Sequence, residues 1–310
     1  MKAAVVHDFS RPPRYEDVRD PVVDGEERVV VEVLAAGLHP RVRSQAGGVH
    51  YTGTGELPLT PGIDAVVRDP KGAIRYAILD DTTLGTMAER TVIELARSVV
   101  LPDSIDPVAV AAAMNPVMSS WVALRKRIDF ERGQRLAILG ATGNAGRMAI
   151  QVAKRFGASH VIAAGRDRAK LAELPALGAD DVCTFDQLAR AADVDVVIDY
   201  VWGEATVAAM VEILTNRADR GRMLSWVEIG AVAGASAAIP AAALRSARLQ
   251  IVGSGIGSVP GRDFVEELPQ IARAVAHGAF EVRARAVPLA EVEQVWSSSI
   301  GSSDRIVLVP

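Results

Sequence analysis

The 310-residue chain reads as an α/β protein, a small β-rich domain followed by a doubly wound parallel sheet. Three observations predict it. The first hundred or so residues are short β-branched runs separated by Pro, Gly and Asp. Between Arg135 and Ile256, near-continuous apolar runs alternate with amphipathic segments, as parallel strands covered by helices on both faces require. The first of those runs ends in a glycine-rich turn that opens directly into a helical pattern. A chain this long exceeds one ordinary core, so two domains are expected.

In order along the chain, the N-terminal strands are MKAAVV, RVVVEVLAA, DAVVRD, RYAIL and ERTVIEL. The character changes near Pro107, and residues 108–127 are helical in pattern, interrupted at Asn115-Pro116. The strands of the second domain are RLAILG, HVIAAG, DVCTF, VDVVIDY, RMLSWVEIG and LQIVGSGI. Helices NAGRMAIQVAKRFG, RDRAKLAELPALG and ATVAAMVEILTNR fall between them. After Pro260 come a helix (FVEELPQIARAVAHG), a strand (FEVRARAVP), a helix (LAEVEQVWSS) and a strand (RIVLVP). This tail is too short for a domain and is expected to return to the first one. The predicted domains are therefore 1–107 completed by 262–310, and 108–261. The most apolar late stretch, Ile229–Leu244, contains Ser236 and Pro240. It is shorter than the roughly 20 residues of a membrane span and reads as a buried strand plus loop.

Composition removes several function classes. Lys+Arg 34 against Asp+Glu 38 leaves a formal charge of −4, without the basic surface of a non-specific nucleic-acid binder. The single Cys183 excludes an internal disulfide framework and a multi-thiolate metal site, and within DVCTF it reads as a small buried hydrophobe. The N-terminus is apolar for only a few residues before charges begin, too short for a signal h-region. A cytoplasmic protein with neither membrane nor nucleic-acid partners is expected. Asp193 and Asp195 flank a strand start and read as turn residues. Arg217, Arg220 and Arg222 follow a helix and read as compensation of its C-terminal dipole.

The strongest local signal is the turn Ala141-Thr142-Gly143-Asn144-Ala145-Gly146 after the strand RLAILG. Strand, turn, helix and second strand follow in the order a dinucleotide-binding fingerprint needs. Gly143 lets backbone approach a pyrophosphate, Gly146 lets the helix pack on the strand, and the helix N-terminus offers free N–H groups and a positive dipole end. The end of the second strand selects the cofactor. An NAD site places Asp or Glu there for the ribose hydroxyls, but this chain has Gly165-Arg166-Asp167-Arg168. Arg166, assisted by Arg168, suits a 2′-phosphate, while Asp167 suits a helix N-cap. NADPH is the expected cofactor. The competing reading makes both arginines solvated surface charges.

With these residues in view, the chain resembles the medium-chain dehydrogenase/reductase superfamily, in its zinc-independent quinone oxidoreductase branch. The matching stretches are GLHPRVRSQAGGVHY, LPLTPGIDAVV, GTMAERTVI, AAAMNPVMSSWVAL, ILGATGNAGRMAIQVAKRFGA, VDVVIDYVWG and IVGSGIGS. The resemblance implies a GroES-like β-domain, a Rossmann domain, and an active site in the interdomain cleft. Zinc-dependent relatives carry Cys where Gly37-Leu38 is followed by His39, and His-Glu where Pro61-Gly62 is followed by Ile63-Asp64. Their third ligand falls near Asn115-Pro116. Ile and Pro cannot ligate zinc, so no metal is expected.

Without zinc to polarise a carbonyl, a conjugated acceptor is the easier substrate, because negative charge spreads into an enolate or hydroquinone. The resemblance therefore implies NADPH-dependent reduction of a small-molecule quinone or α,β-unsaturated carbonyl. Catalytic candidates from matching positions are His39, Arg43 and Tyr51, with Ser44 and His50 on the same loop. Tyr51 or His50 would bond the acceptor oxygen or supply a proton. Arg43 would stabilise oxyanion charge or touch cofactor phosphate. Cofactor candidates are Asn115 and Ser119 at the domain junction, Trp202, Gly230, Ala231, Ser254 and Gly255 at later strand ends. Relatives are commonly homodimers joined through the strand that is LQIVGSGI here. Two further readings stay open, a zinc-type alcohol dehydrogenase relative and a non-catalytic NADPH-binding or sensing protein.

Overall fold

The computed structural model describes residues 1–23, 25, 27–298 and 304–310. In chain order the elements are β1 (Lys2–Val5), β2 (Arg14–Asp17), β3 (Arg28–Leu38), α1 (Pro40–Ala46), β4 (Asp64–Arg68), β5 (Ile74–Ile78), β6 (Arg90–Glu94), β7 (Ser98–Val100) and α2 (Pro107–Val122). There follow β8 (Arg135–Leu139), α3 (Asn144–Arg155), β9 (His160–Ala164), α4 (Arg168–Leu171), β10 (Asp181–Cys183), β11 (Val196–Asp199), α5 (Gly203–Asn216), β12 (Leu224–Glu228), α6 (Ala241–Ser246) and β13 (Leu249–Gly253). The chain closes with α7 (Gly261–Ala276), β14 (Ala284–Pro288), α8 (Val292–Ser298) and β15 (Arg305–Val309). It forms two compact units, Met1–Asn115 with Val265–Pro310, and Pro116–Phe264.

In the first unit β14, β15, β3, β4, β5 and β7 lie side by side, with β6 also on β3. On β3, Val31 and Val33 are buried while Glu32 is exposed, the alternation of a strand with one face on the core. Those valines pack with Ile63, Val67, Met87 and Ile93. The C-terminal tail belongs to this core. β15 pairs antiparallel with β3 through Ile306–Leu308, and Val292, Ile306 and Leu308 join the same cluster.

The second unit is a parallel sheet in the order β10-β9-β8-β11-β12-β13, the doubly wound arrangement whose strand order reverses between β8 and β11. Leu136–Leu139 and Val196–Asp199 are buried throughout, because helices cover both faces. In-register pairing places Leu139, Ala164, Asp199, Glu228 and Gly253 along one edge. Ligands of such sheets bind outside this carboxyl edge.

Several local expectations change. α2 runs through Pro116 rather than breaking there, and a π-helical turn, Ala123–Arg127, extends it. Pro107–Arg127 is long and apolar enough to span a membrane, but 72% of its apolar window is buried in the fold. Ile229–Leu244 is not a buried strand. Beyond β12 it is largely exposed, with Val232 at 76%, because its alanines and glycines bring little side chain to bury. RDRAKLAELPALG forms only a single α-turn and a 3₁₀ turn, as Pro175 removes the donor a longer helix needs. Polar RYED and the short SVV form β2 and β7, too weak in pattern to stand out. Cys183 is buried, and burial pushes its thiol up to about 11. Arg217 is buried and donates to the carbonyls of Ala192 and Val194, so it pins a turn beyond any dipole role. Asp195 holds Arg222 and the Arg135 N–H, and Asp193 accepts from Ala218 N.

Candidate functional site

At the carboxyl edge of the second unit, Gly140 N and Ala141 N both donate to Ala164 O, at 3.1 and 2.9 Å, clamping the turn to β9. Gly143 then caps α3 with no side-chain bond, and no acid stands in the first helical turn. The leading N–H groups at Asn144, Ala145 and Gly146 have no partner within the helix, so a positive end faces outward. Gly146 is obligatory. A Cβ there would lie 2.4 Å from Gly140 O and 2.5 Å from Ala141 Cα. At Gly143 a Cβ would lie 3.5 Å from Gly140 O, an ordinary contact. The packing itself therefore requires glycine at 146, whereas position 143 has room for a Cβ.

At the end of β9, a Cβ on Gly165 would strike Thr142 Cγ2 at 2.8 Å, so Gly165 seats Thr142. Arg166 is exposed, and among the described residues it makes no hydrogen bond or ion pair. Asp167 caps α4, accepting from Ala169 N (3.0 Å) and Lys170 N (3.2 Å). Arg168 is exposed and lies in the field of Asp186, whose carboxyl is lowered chiefly by hydrogen bonds from Thr184 and its own backbone N–H.

Past β11 the backbone is strained. Trp202, half-buried, has φ 53 and begins α5. Such a conformation costs about 1–3 kcal/mol and persists where surroundings over-determine it. Here the restraint is Asp199, buried and not singled out from sequence. Its Oδ1 accepts Val201 N (2.8 Å) and Trp202 N (3.1 Å). Its Oδ2 accepts Thr206 Oγ1 (2.6 Å) and Trp226 Nε1 (3.0 Å). Gly230 N donates to Asp199 O at 3.2 Å, Ala231 is exposed, and Ser254 N donates to Glu228 O at 2.8 Å. The Gly255 N–H meets Ser258 Oγ at 2.8 Å. On α2, Asn115 and Ser119 are both half-buried. Ser119 Oγ donates to Pro116 O (2.8 Å) and accepts from the buried Tyr200 hydroxyl (3.1 Å). Burial pushes that phenol up to about 12.

In the first unit the α1 loop carries two networks. His39 is only 2% exposed, and its Nε2 lies 2.8 Å from Asp64 Oδ1, while Tyr76 donates to Asp64 Oδ2 at 2.7 Å. Buried Arg305 supplies the nearby positive charge. Burial drives the His39 ring below its ordinary value despite Asp64, and lowers Arg305 to about 10. The second network centres on Asp81. Its Oδ2 takes Arg41 Nη2 at 2.5 Å and the Thr52 hydroxyl, and its Oδ1 takes Gln45 Nε2 at 3.0 Å. Gln45 Oε1 in turn accepts Gly62 N at 2.9 Å, and His50 Nδ1 lies 2.7 Å from Thr52 Oγ1. Arg43 points elsewhere, donating to Trp296 O and lying 5.1 Å from its ring centroid. Tyr51 is 73% exposed and stacks on His50 at 4.4 Å. In the second unit the nucleotide candidates other than Ser119 gather at one sheet edge, Asn115 and Ser119 lie on α2, and in the first unit His39, Arg43 and Tyr51 have three different surroundings. Arg41, Asp81 and Asp199 were not singled out from sequence, since their partners lie far along the chain or only the fold brings them near.

Comparison with known proteins agrees with this architecture. A family profile described as zinc-binding dehydrogenase matches residues 145–276. A probable NADPH-dependent quinone reductase of Emericella nidulans is 31% identical, with both chains covered in full. The quinone oxidoreductase of Thermus thermophilus, solved alone and with NADPH, superposes with a TM-score of 0.83 at 25% identity over all of both chains. An NADPH-dependent alkenal/one oxidoreductase of Arabidopsis thaliana is 29% identical over 50% of this chain and 44% of its own. The chain belongs to the medium-chain dehydrogenase/reductase superfamily, in its quinone oxidoreductase branch.

Proposed function

We propose that this protein is a zinc-independent, NADPH-dependent oxidoreductase that reduces a quinone or an α,β-unsaturated carbonyl. The observation that carries the reading is the open N-terminus of α3, packed on β8 through Gly146, together with an exposed Arg166 that has no partner among the described residues. The N–H groups of Asn144, Ala145 and Gly146 would hold the pyrophosphate. Arg166 would hold the 2′-phosphate, with Arg168 adding field. Thr142, Gly143, Gly165, Trp202, Gly230, Ala231, Ser254 and Gly255 would shape the rest of the cofactor edge, with Asn115 and Ser119 on α2. The nicotinamide cofactor supplies the hydride.

The donor set does not fit zinc. His39 and Asp64 are bonded to each other, Ile63 has no donor, and among the described residues no group of three or more His, Cys, Asp or Glu could hold a metal ion. His39 serves in this reading as a positioning residue at the start of α1. Arg43 anchors α1 to α8, and exposed Tyr51 is the proton donor or hydrogen-bond partner for the acceptor. We further propose a cytoplasmic homodimer formed at the unpaired outer edge of β13, an edge that natural sheets cover.

The test is steady-state NADPH oxidation by metal-stripped protein against a panel of quinones and enones. Turnover without added metal is expected. Inactivity toward every acceptor, or activity only on restoring zinc, would overturn the reading.

A further inference from the structure

The second unit holds a cavity that the reductase reading leaves unused. Its volume is about 500 Å³, within the range of small-molecule sites, and every residue lining it belongs to that unit. It lies at the foot of α3, walled by Phe156, Arg155 and residues 128–132 before β8. Twelve helical residues at 1.5 Å each place it about 18 Å from the Gly143 turn. The π-helical turn Ala123–Arg127 supplies another part of the wall, a distortion that recurs at functional sites.

The walls are held in place. Trp121 meets Phe156 edge-on at 4.7 Å. Gly133 N donates to Gly157 O at 2.8 Å and Ser159 N to Gln134 O at 3.0 Å, which pins the turn before β8 to the end of α3. Arg132 lies flat across Gly157, where a Cβ would come within 2.8 Å of its Cγ and 3.1 Å of its Cζ. Three kinds of group line the space. Phe130 and Phe156 offer half-buried rings, Arg132 and Arg155 exposed guanidinium groups, and Asp129 and Glu131 exposed carboxylates. Among the described residues, none of these four charged side chains makes a hydrogen bond or ion pair, with one another or with any other group. A simple anion here would face the carboxylates, and a simple cation the guanidinium groups. A molecule that carries both charges and a ring matches all three.

We propose that this cavity binds a free aromatic α-amino acid. Its carboxylate would meet Arg132 and Arg155, its ammonium Asp129 and Glu131, and its side-chain ring Phe130 and Phe156. The proposal stands apart from the reductase reading.

The experiment is calorimetric titration of the full chain with L-phenylalanine, 3-phenylpropanoate, phenethylamine and L-alanine. The last three lack the ammonium, the carboxylate and the ring in turn. Phenylalanine should bind, and each of the others should bind at least about tenfold more weakly, the scale of one charge-assisted bond or one buried ring. In the double variant Arg132→Gln/Arg155→Gln, phenylalanine and 3-phenylpropanoate should weaken by about tenfold or more while phenethylamine does not. In Asp129→Asn/Glu131→Gln the pattern should reverse, with phenylalanine and phenethylamine weakened and 3-phenylpropanoate not. No binding of phenylalanine at millimolar concentration, any of the other three compounds binding as tightly as phenylalanine, or unchanged phenylalanine affinity in either double variant would overturn the proposal. The comparison of ligands on the wild-type chain decides the matter even where a variant does not fold.

Discussion

Two glycines in one turn should fail in opposite ways. Gly146→Ala places a Cβ 2.4 Å from Gly140 O and 2.5 Å from Ala141 Cα, where real Cβ atoms essentially never come within 3.0 Å. Both obstacles are backbone, so α3 must withdraw from β8 by about half an ångström or more, against the buried Met148, Ile150 and Val152. Overpacking of this kind costs about 1–3 kcal/mol, which at about 2–4 °C per kcal/mol corresponds to a fall of roughly 2–12 °C in the melting of a unit this size. Gly143→Ala meets only a 3.5 Å contact at φ −80, so the free protein should change by less than about 0.5 kcal/mol. NADPH affinity, however, should drop at least about tenfold, near 1.4 kcal/mol, because the new methyl stands where the pyrophosphate approaches. Scanning calorimetry of the free proteins and fluorescence titration with NADPH separate the two. A Gly146→Ala protein that melts like wild type would refute the packing argument. A Gly143→Ala protein with unchanged affinity would refute the phosphate assignment.

Two further outcomes follow from buried polar groups. Asp199→Asn replaces one acceptor oxygen by a donor facing other donors, so the unit should lose about 2–4 kcal/mol. Retained stability in urea unfolding would show that Asp199 does not restrain Trp202. The second concerns pH. The folded His39 ring is held below its ordinary 6.5 by burial. Below that value the unfolded chain takes up a proton that the folded ring refuses, so stability is intact above about pH 6.5 and falls as pH drops. The slope approaches about 1.4 kcal/mol per pH unit until the folded ring itself protonates. Urea midpoints measured from pH 7.5 to 5 should flatten in His39→Gln, and an unchanged profile would assign the acid sensitivity elsewhere.

The doubly wound sheet was legible because apolar runs and amphipathic segments alternate without a gap, and the turn at Gly140–Gly146 carries its steric reasons locally. The expectation of a metal-free site was equally local, resting on the residue types at Ile63 and Pro116. What could not be read were roles created by distant partners. Arg41 and Arg43 are equivalent letters on one loop. Only the fold brings Asp81 to the first and Trp296 to the second. Asp199 looks like an ordinary strand end until Thr206 and Trp226 converge on it. The run Ile229–Leu244 misled because hydropathy counts apolar letters, whereas burial depends on side-chain volume to pack. Pro116 misled because a buried helix can lose one backbone bond when its apolar sides hold it.

The central claim is that this edge binds NADPH through Arg166 and needs no metal. The most direct measurement is a fluorescence titration of metal-stripped protein with NADPH and NADH side by side, repeated on Arg166→Ala. The account predicts a clear preference for NADPH that shrinks at least about tenfold in the variant, the scale of one charge-assisted bond. Preference for NADH, or binding of neither cofactor, would contradict it.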